Sequence, residues 1–248
     1  MDFFEESFRV RYSEADRNGL LRNDALFDTF QEAASRHAER LGCRFGAMGG
    51  LTWVLSRMRI DISRMPRLGG EFSIKTWPSG FRRLFAAREA LFYDGEGELA
   101  RLTSYWLLLD TAAMRPRRPE DALECSLPEN GDLPRYFDLG GREPMGDCSR
   151  PMAAAVLDHE VDVNMHMNNA RYVTRASDWL AREAGGAVSL ESLSASYIQA
   201  SPPGCVLETS GSLDGDGRFC IEIAGPDSGG GMLRRFTASG RIRRVQCQ

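Results

Sequence analysis

The sequence predicts an α+β chain made of two similar halves, each with one long helix and about four antiparallel strands. Helical periodicity occurs once in each half, and strand-like runs follow each helix. The polar segments ahead of the two helices also match at a constant offset of 146 positions. A repeat of roughly 120 residues is a duplicated domain, which predicts a pseudo-dimer with a local twofold axis. The alternative is two independent α+β domains on a flexible linker.

The first half begins with a strand over Glu6–Tyr12 and a polar turn. A helix is predicted over Asp24–Leu41, where Asn23 could cap the start and Gly42 could end it. Its apolar face carries His37, which we interpret as a core or pocket-wall residue. Four strand-like runs follow, at 51–62, 70–81, 83–94 and 98–110.

Residues 120–150 are rich in proline, glycine and acids, and they predict a surface linker with one helical turn. The domain boundaries expected are therefore 1–119 and 151–248. The second half predicts a strand over Met152–Leu157, a polar junction and a helix over Asn169–Ala184. Four strand-like runs then follow, at 192–201, 205–213, 218–225 and 232–245.

Composition excludes several classes of protein. The net charge of −4 gives no global basic field for nucleic acid, and the longest apolar runs are far too short to span a bilayer. The acidic N-terminus lacks the pattern of a signal peptide, so a cytoplasmic location is expected. The six cysteines form no C-x-x-C pair, which favours reduced thiols over disulfides or a zinc site.

The junction before the second helix carries the densest polar chemistry in the chain. Asp162, Asn164 and His166 alternate with Val163 and Met165, so an extended segment would put the three polar groups on one face and the apolar pair inside. A helix N-terminus follows, which can stabilise a developing oxyanion. These groups suit acyl transfer to water. An acid or imidazole would act on the water, and the amide would orient water or a carbonyl.

Two other interpretations of the junction remain open. Asn and Asp before a helix are usually caps or Asx turns, and Asp16 and Asn18 repeat the pattern in the first half. Leu20 occupies the position in the first half that corresponds to His166. This difference is typical of a duplicated domain in which one half is catalytic and the other has lost its activity.

A metal site is the second alternative. Its candidate ligands are Asp158, His159, Asp162 and His166, but their spacing matches no common zinc pattern. No cofactor is expected, since hydrolysis needs only water and placed polar groups.

The segment "DVNMHMNNARYV" resembles the D-x-N-x-H-x-N-N-x-x-Y signature of plant-type and bacterial acyl-ACP thioesterases. "YSEADRNGLL", "WVLSRMRIDISRMPRLGGEFSIKTWPSG" and "RLTSYWLLLDTAAMRPRRP" extend the resemblance from about Phe8 to Val245. It implies a double hotdog fold, in which each half wraps a sheet around a long helix. It also implies hydrolysis of a fatty acyl thioester on acyl carrier protein, with Asp162, Asn164 and His166 as the catalytic residues.

The resemblance further implies that the acyl chain lies in the N-terminal hotdog. The residues expected to gauge chain length there are Trp53, Met58, Trp77 and Trp106. Arginines in the loops would either meet the acidic surface of the carrier protein or simply be solvated, namely Arg82, Arg83, Arg115, Arg117 and Arg118. The chain would act as a monomeric pseudo-dimer or a homodimer, without a nucleic-acid or membrane partner.

One position departs from the family. Ala200 falls where the family carries a glutamate, Ser201 falls at the neighbouring cysteine position, and Gln199 precedes them. Alanine cannot take a proton, so Asp162 with His166 becomes the candidate base. This departure keeps open a second function, an acyl-binding protein without turnover. An acyl-CoA thioesterase is a third, because the sequence does not distinguish acyl-CoA from acyl-ACP.

Overall fold

The computed structural model describes residues 2–44, 46–123, 125, 127–141, 146–227 and 229–244. The chain divides into two compact units, one of Met1–Ser13 with Asp28–Gly141 and the other of Glu14–Phe27 with Arg142–Gln248. In the described part of the chain, every helix is too short or too polar to cross a lipid bilayer.

The first unit is built on an antiparallel sheet in the order β1-β3-β4-β5-β2, with β6 paired to β5. Its strands are β1 (Phe4–Arg9), β2 (Leu51–Ile62), β3 (Glu71–Arg82), β4 (Phe85–Asp94), β5 (Gly97–Asp110) and β6 (Arg115–Arg117). Strands β2 to β5 follow the predicted runs closely because their apolar side chains fill the core. Strand β6 was not predicted, since "RPR" has no strand pattern.

Helix α1 (Asn23–Arg40) ends as predicted at Gly42, whose φ of 83° is left-handed and is free of strain only for glycine. The amide of Cys43 then donates to the carbonyl of Ala38 at 2.8 Å and closes the helix end. At the other end, the Asn23 amide donates to Ser177 Oγ and its oxygen accepts from the Leu190 nitrogen. This asparagine therefore bridges elements of the second unit.

The segment predicted as a linker begins with the expected helical turn, α2 (Pro119–Ala122). Farther along, the Tyr136 nitrogen donates to Glu89 Oε2 at 3.2 Å and the Phe137 nitrogen donates to Thr103 Oγ1 at 3.0 Å. Because Glu89 and Thr103 are buried, this stretch packs onto the first unit.

The second unit repeats the plan with an antiparallel sheet in the order β8-β11-β10-β9-β7. Its elements are β7 (Ser149–Ala155), α3 (Asn169–Ala184), β8 (Val188–Tyr197), β9 (Val206–Leu213), β10 (Arg218–Pro226) and β11 (Met232–Arg244). Helix α3 has the predicted bounds, and its predicted apolar face is buried. A Cβ at Gly211 would lie 2.5 Å from the carbonyl oxygen of Cys220 and 3.1 Å from the Trp179 ring. Glycine there allows the helix to approach β9 closely.

The structure corrects one expectation about the cysteines. Cys43 and Cys125 form a disulfide across a sequence separation of 82 residues, whereas Cys148, Cys205 and Cys220 are not disulfide-bonded. The end of α1 and the segment after α2 bring the pair together, and no local spacing in the sequence announces this. Cys247 lies outside the described residues.

Candidate active site

The junction that carries Asp162, Asn164 and His166 is a tight reversal of the chain. Val161 and Met167 form an antiparallel bridge, and between them the Asp162 nitrogen donates to the His166 carbonyl at 2.9 Å. The prediction of an extended segment was therefore wrong. Val163 and Met165 are 73% and 66% exposed, where burial was expected.

The Asp162 carboxylate explains the reversal. Its Oδ1 accepts from the Asn164 nitrogen at 2.8 Å, which makes an Asx turn. The Met165 nitrogen then donates to the Asp162 carbonyl at 2.9 Å, and Met165 takes a left-handed φ of 61°. A non-glycine residue in this conformation carries strain, which is often found at functional sites.

The same loop occurs 146 residues earlier. The Asn18 nitrogen donates to Asp16 Oδ1 at 2.8 Å, the Asp16 nitrogen donates to the Leu20 carbonyl at 2.7 Å, and Gly19 has a φ of 71°. A 3₁₀ turn precedes each loop and a long helix follows each one. Both halves therefore carry the same turn, with matching backbone hydrogen bonds and the same Asx turn, ahead of a long helix.

The two loops differ in how the aspartate is satisfied. Asp16 accepts from the backbone nitrogens of Asn18 and Leu20 and, at 3.5 Å, from the Asn18 amide. Within the described residues, the Asp162 carboxylate accepts only from the Asn164 nitrogen. In the same residues, the Asn164 and His166 side chains have no hydrogen-bond partner. In the Asp16 loop the polar side chains bond within the loop. In the Asp162 loop the Asn164 and His166 side chains can still form hydrogen bonds.

Two neighbours of the loop have structural roles. Asn168 caps α3, since its side chain accepts from the Ala170 nitrogen at 2.8 Å, and the capping interpretation holds for this residue. Glu160 accepts from the Leu157 nitrogen at 2.9 Å and from Arg175 at 2.8 Å. Its carboxylate is therefore already engaged.

The segment after β8 lies against the loop. The Met167 nitrogen donates to the carbonyl of fully buried Ser201 at 2.9 Å, and the Tyr172 hydroxyl donates to Ser201 Oγ at 2.8 Å. Exposed Ala200 precedes this anchor, and its carbonyl accepts from Arg235. Ala200 thus stands beside the loop but supplies no carboxylate.

Two tyrosines lie close to this anchor, Tyr172, which is buried, and Tyr197, which is half-buried. Burial raises the pKa of both Tyr172 and Tyr197, so both hydroxyls stay protonated near neutral pH. The Tyr197 hydroxyl donates to the carbonyl of Asn169 at 3.3 Å. Neither tyrosine replaces the missing base, and sequence reasoning gave neither a place in the site.

A cavity of about 80 Å³ lies in the first unit, and Trp53 and Trp106 are among the residues that line it. The other two predicted gauge residues are core residues: Met58 is 2% exposed and Trp77 is 1% exposed. Among the described residues that line it, only Ser35 and Arg88 are polar.

His37 lies in the core of the first unit, as one of its two interpretations held, and is 1% exposed. The described residues contain no grouping of three His, Cys, Asp or Glu side chains that could hold a metal ion.

Comparison with known proteins adds a family and a fold. The family model for the acyl-ACP thioesterase N-terminal domain matches residues 1–124. The chloroplastic acyl-(acyl-carrier-protein) hydrolase FATB1 of Cuphea viscosissima is 27% identical over 84% of this chain and 54% of its own length. The chloroplastic oleoyl-acyl carrier protein thioesterase 1 of Arabidopsis thaliana is 24% identical over 68% of this chain and 52% of its own. The chain thus spans about half the length of these curated relatives.

Two solved structures match almost the whole chain. The 12:0-ACP thioesterase from Umbellularia californica superposes with a TM-score of 0.77 at 19% identity and covers 98% of both chains. An acyl-ACP thioesterase from Bacteroides thetaiotaomicron gives 0.75 at 20% identity, with 97% and 98% covered. These matches confirm the predicted double hotdog fold.

Proposed function

The chain belongs to the acyl-ACP thioesterase family, and from this we propose that it hydrolyses fatty acyl thioesters on acyl carrier protein and releases free fatty acid. The observation that carries the proposal is the Asp162–His166 loop, which shares the backbone hydrogen bonds of its twin at Asp16 but leaves the Asn164 and His166 side chains without a hydrogen-bond partner within the described residues.

In the proposed reaction, Asp162 and His166 together take a proton from water. The water oxygen attacks the thioester carbonyl carbon, and the Asn164 amide donates to the oxygen on which negative charge develops. The carbon–sulfur bond then breaks, and the proton passes to the departing sulfur. The products are a carboxylic acid and the free thiol of the carrier.

The remaining assignments belong to the same proposal. Residues 1–119 form the hotdog that holds the acyl chain, 120–150 link the halves, and 151–248 form the catalytic hotdog. Acyl carrier protein, an acidic partner, docks on exposed arginines of the first unit such as Arg82, Arg83 and Arg118. The enzyme works in the cytoplasm as a monomer or homodimer. The three cysteines outside a disulfide support a reducing compartment, whereas the Cys43–Cys125 disulfide does not.

The test is thiol release from acyl-ACP and acyl-CoA panels of increasing chain length. His166→Ala should lower kcat by about 10²- to 10⁴-fold, the usual contribution of a general acid or base. His159→Ala, on the 3₁₀ turn of the same segment, is the matched control and should keep wild-type kcat.

The aspartates provide a second matched pair. Asp162→Asn should lose activity, while Asp16→Asn in the twin loop should lose stability and keep kcat. Equal activity of His166→Ala and wild type would overturn the site assignment.

Ala200 favours one other function, acyl binding without turnover. That function would appear as saturable binding of acyl-ACP with thiol release no faster than without protein. Thiol release from acyl-CoA but not from acyl-ACP would instead show that the carrier is coenzyme A, while the hydrolytic mechanism would stand.

A further inference from the structure

Arg88 is a buried cation on the wall of the cavity in the first unit. It lies in the middle of β4, opposite Pro78 on β3 and Ser104 on β5, and is 8% exposed. Burial lowers its pKa to about 10, so it remains charged at neutral pH. A buried charge is costly unless a partner compensates it.

The partners that Arg88 has are neutral. Its Nη1 donates to Thr76 Oγ1 at 3.3 Å and is 3.2 Å from His37 Nδ1. The Thr76 hydroxyl donates to the Glu89 carbonyl, so it has only lone pairs for Arg88. His37 Nε2 lies 3.3 Å from Asp2 Oδ1, so a neutral ring with its proton on Nε2 gives Nδ1 as the acceptor.

The opposite edge of the guanidinium is unused. Within the described residues, Nε and Nη2 of Arg88 have no hydrogen-bond partner, and no carboxylate forms an ion pair with this side chain. The Nε–Nη2 edge presents two parallel N–H groups, an arrangement that matches the two oxygens of one carboxylate.

Apart from Arg88 and Ser35, the described residues that line the cavity are apolar. Trp53, Ala86, Ala87 and Trp106 line it with Arg88, and the polar edge of Trp106 is already occupied because Nε1 donates to Ser104 Oγ at 2.8 Å. Its volume of about 80 Å³ is several times that needed by one water molecule, ~10–15 Å³ on the same measure. A short length of carbon chain ending in a charged group fits these walls.

We propose that this cavity receives the far end of an acyl group that carries a terminal carboxylate, and that Arg88 is the residue that selects it. The preferred substrate is then the half-thioester of a dicarboxylic acid rather than a simple fatty acyl group. The inference rests on the proposed function, because it names the substrate class of that same hydrolysis.

The test compares matched pairs of thioesters on acyl carrier protein, hexanoyl against adipoyl and octanoyl against suberoyl. Wild-type protein should give the carboxylated member a kcat/KM about 10- to 100-fold higher, as expected for a hydrogen-bonded charge pair. Arg88→Met should abolish or invert this ratio. Arg88→Lys should retain only part of it, because the lysine ammonium keeps the charge but cannot donate two parallel hydrogen bonds to one carboxylate. Arg101→Met, which removes an exposed arginine from β5, should keep the wild-type ratio.

A binding measurement separates this inference from the proposed function. Adipate should raise the melting temperature of wild-type protein and hexanoate should not, and Arg88→Met should lose the adipate effect. If no thioester is hydrolysed but adipate binds through Arg88, the proposed function fails and the carboxylate site stands. If wild type prefers the methyl-ended member of each pair and adipate gives no shift, the carboxylate site is overturned. A folded Arg88→Met protein with unchanged ratios overturns it as well.

Discussion

The backbone nitrogen of Met167 donates to the carbonyl oxygen of Ser201 at 2.9 Å. This hydrogen bond joins the end of the Asp162–His166 loop to the segment that follows β8. Ala200, one residue before this anchor, is therefore held beside the loop with its side chain in solvent. The family resemblance places a glutamate at this position of the proposed site, and alanine can neither give nor take a proton there.

Ala200→Glu should raise kcat for thioester hydrolysis at least about tenfold, since a placed general base usually contributes 10²–10⁴-fold. The exposed site admits the longer side chain, and the nearby Arg235 guanidinium, which binds the Ala200 carbonyl, favours the ionised carboxylate. The measurement is steady-state thiol release from the best acyl-ACP substrate.

Gln199→Glu is the control for this change, because it adds the same charge one residue earlier at another exposed position. It should leave kcat at the wild-type value. If both variants raise kcat equally, the gain comes from the added negative charge alone, and the assignment of a general base to position 200 is wrong.

Met165→Gly should stabilise the protein by about 0.5–1 kcal/mol. A left-handed φ costs an L-residue ~1–2 kcal/mol, and the greater freedom of glycine in the unfolded chain offsets part of that gain. The twin loop already has Gly19 at this position, and the Met165 side chain is 66% exposed, so little burial is lost. Urea unfolding at neutral pH measures the change.

Val163→Gly, two residues earlier, provides the comparison. Val163 is 73% exposed and does not have a positive φ, so glycine there should destabilise. Destabilisation by both substitutions to a similar degree would show that Met165 carries no backbone strain.

Periodicity was enough to predict the two long helices and every strand except β6, although β8 lies at Val188–Tyr197 and not at 192–201. Helix α3 was predicted with its observed bounds because its apolar residues recur every three or four positions and are buried. Strand β2 was predicted equally well, from a run of branched and apolar residues between two glycine-containing loops.

The conformation of the junction was missed because alternating polar and apolar residues imitate a strand. The contrary signal was present in the sequence: Asp162 and Asn164 are turn formers, and glycine stands at the Met165 position in the twin. The Asp162 carboxylate accepts a hydrogen bond from the backbone nitrogen of Asn164, and this local bond forms a turn in spite of the alternating pattern.

Features that depend on the pairing of distant elements were beyond the sequence. The burial of Arg88 follows from its place between β3 and β5, and the Cys43–Cys125 disulfide follows from the packing of the segment after α2. No spacing along the chain encodes either neighbourhood.

The protein should lose stability as the pH falls below about 6.5, and His37 should account for much of the loss. Burial, and then the charge of Arg88, lower the pKa of His37 from 6.5 to about 4. Between these values the unfolded chain binds a proton that the folded protein does not. The contribution of His37 to the free energy of unfolding is therefore fully present above pH 6.5, the unfolded value, and is lost as the pH falls toward 4.

These two values correspond to a loss of about 2 kcal/mol between pH 7 and pH 5, measurable by urea unfolding at each pH. His37→Asn is the control, because its amide oxygen can still accept from Arg88 but does not titrate. Burial raises the pKa of Glu89, whose contribution has the opposite sign, but Glu89 titrates in both proteins and cancels in the difference. The slope of unfolding free energy against pH should be smaller in His37→Asn, and parallel slopes would show that the His37 ring is protonated as easily in the folded protein as in the unfolded chain.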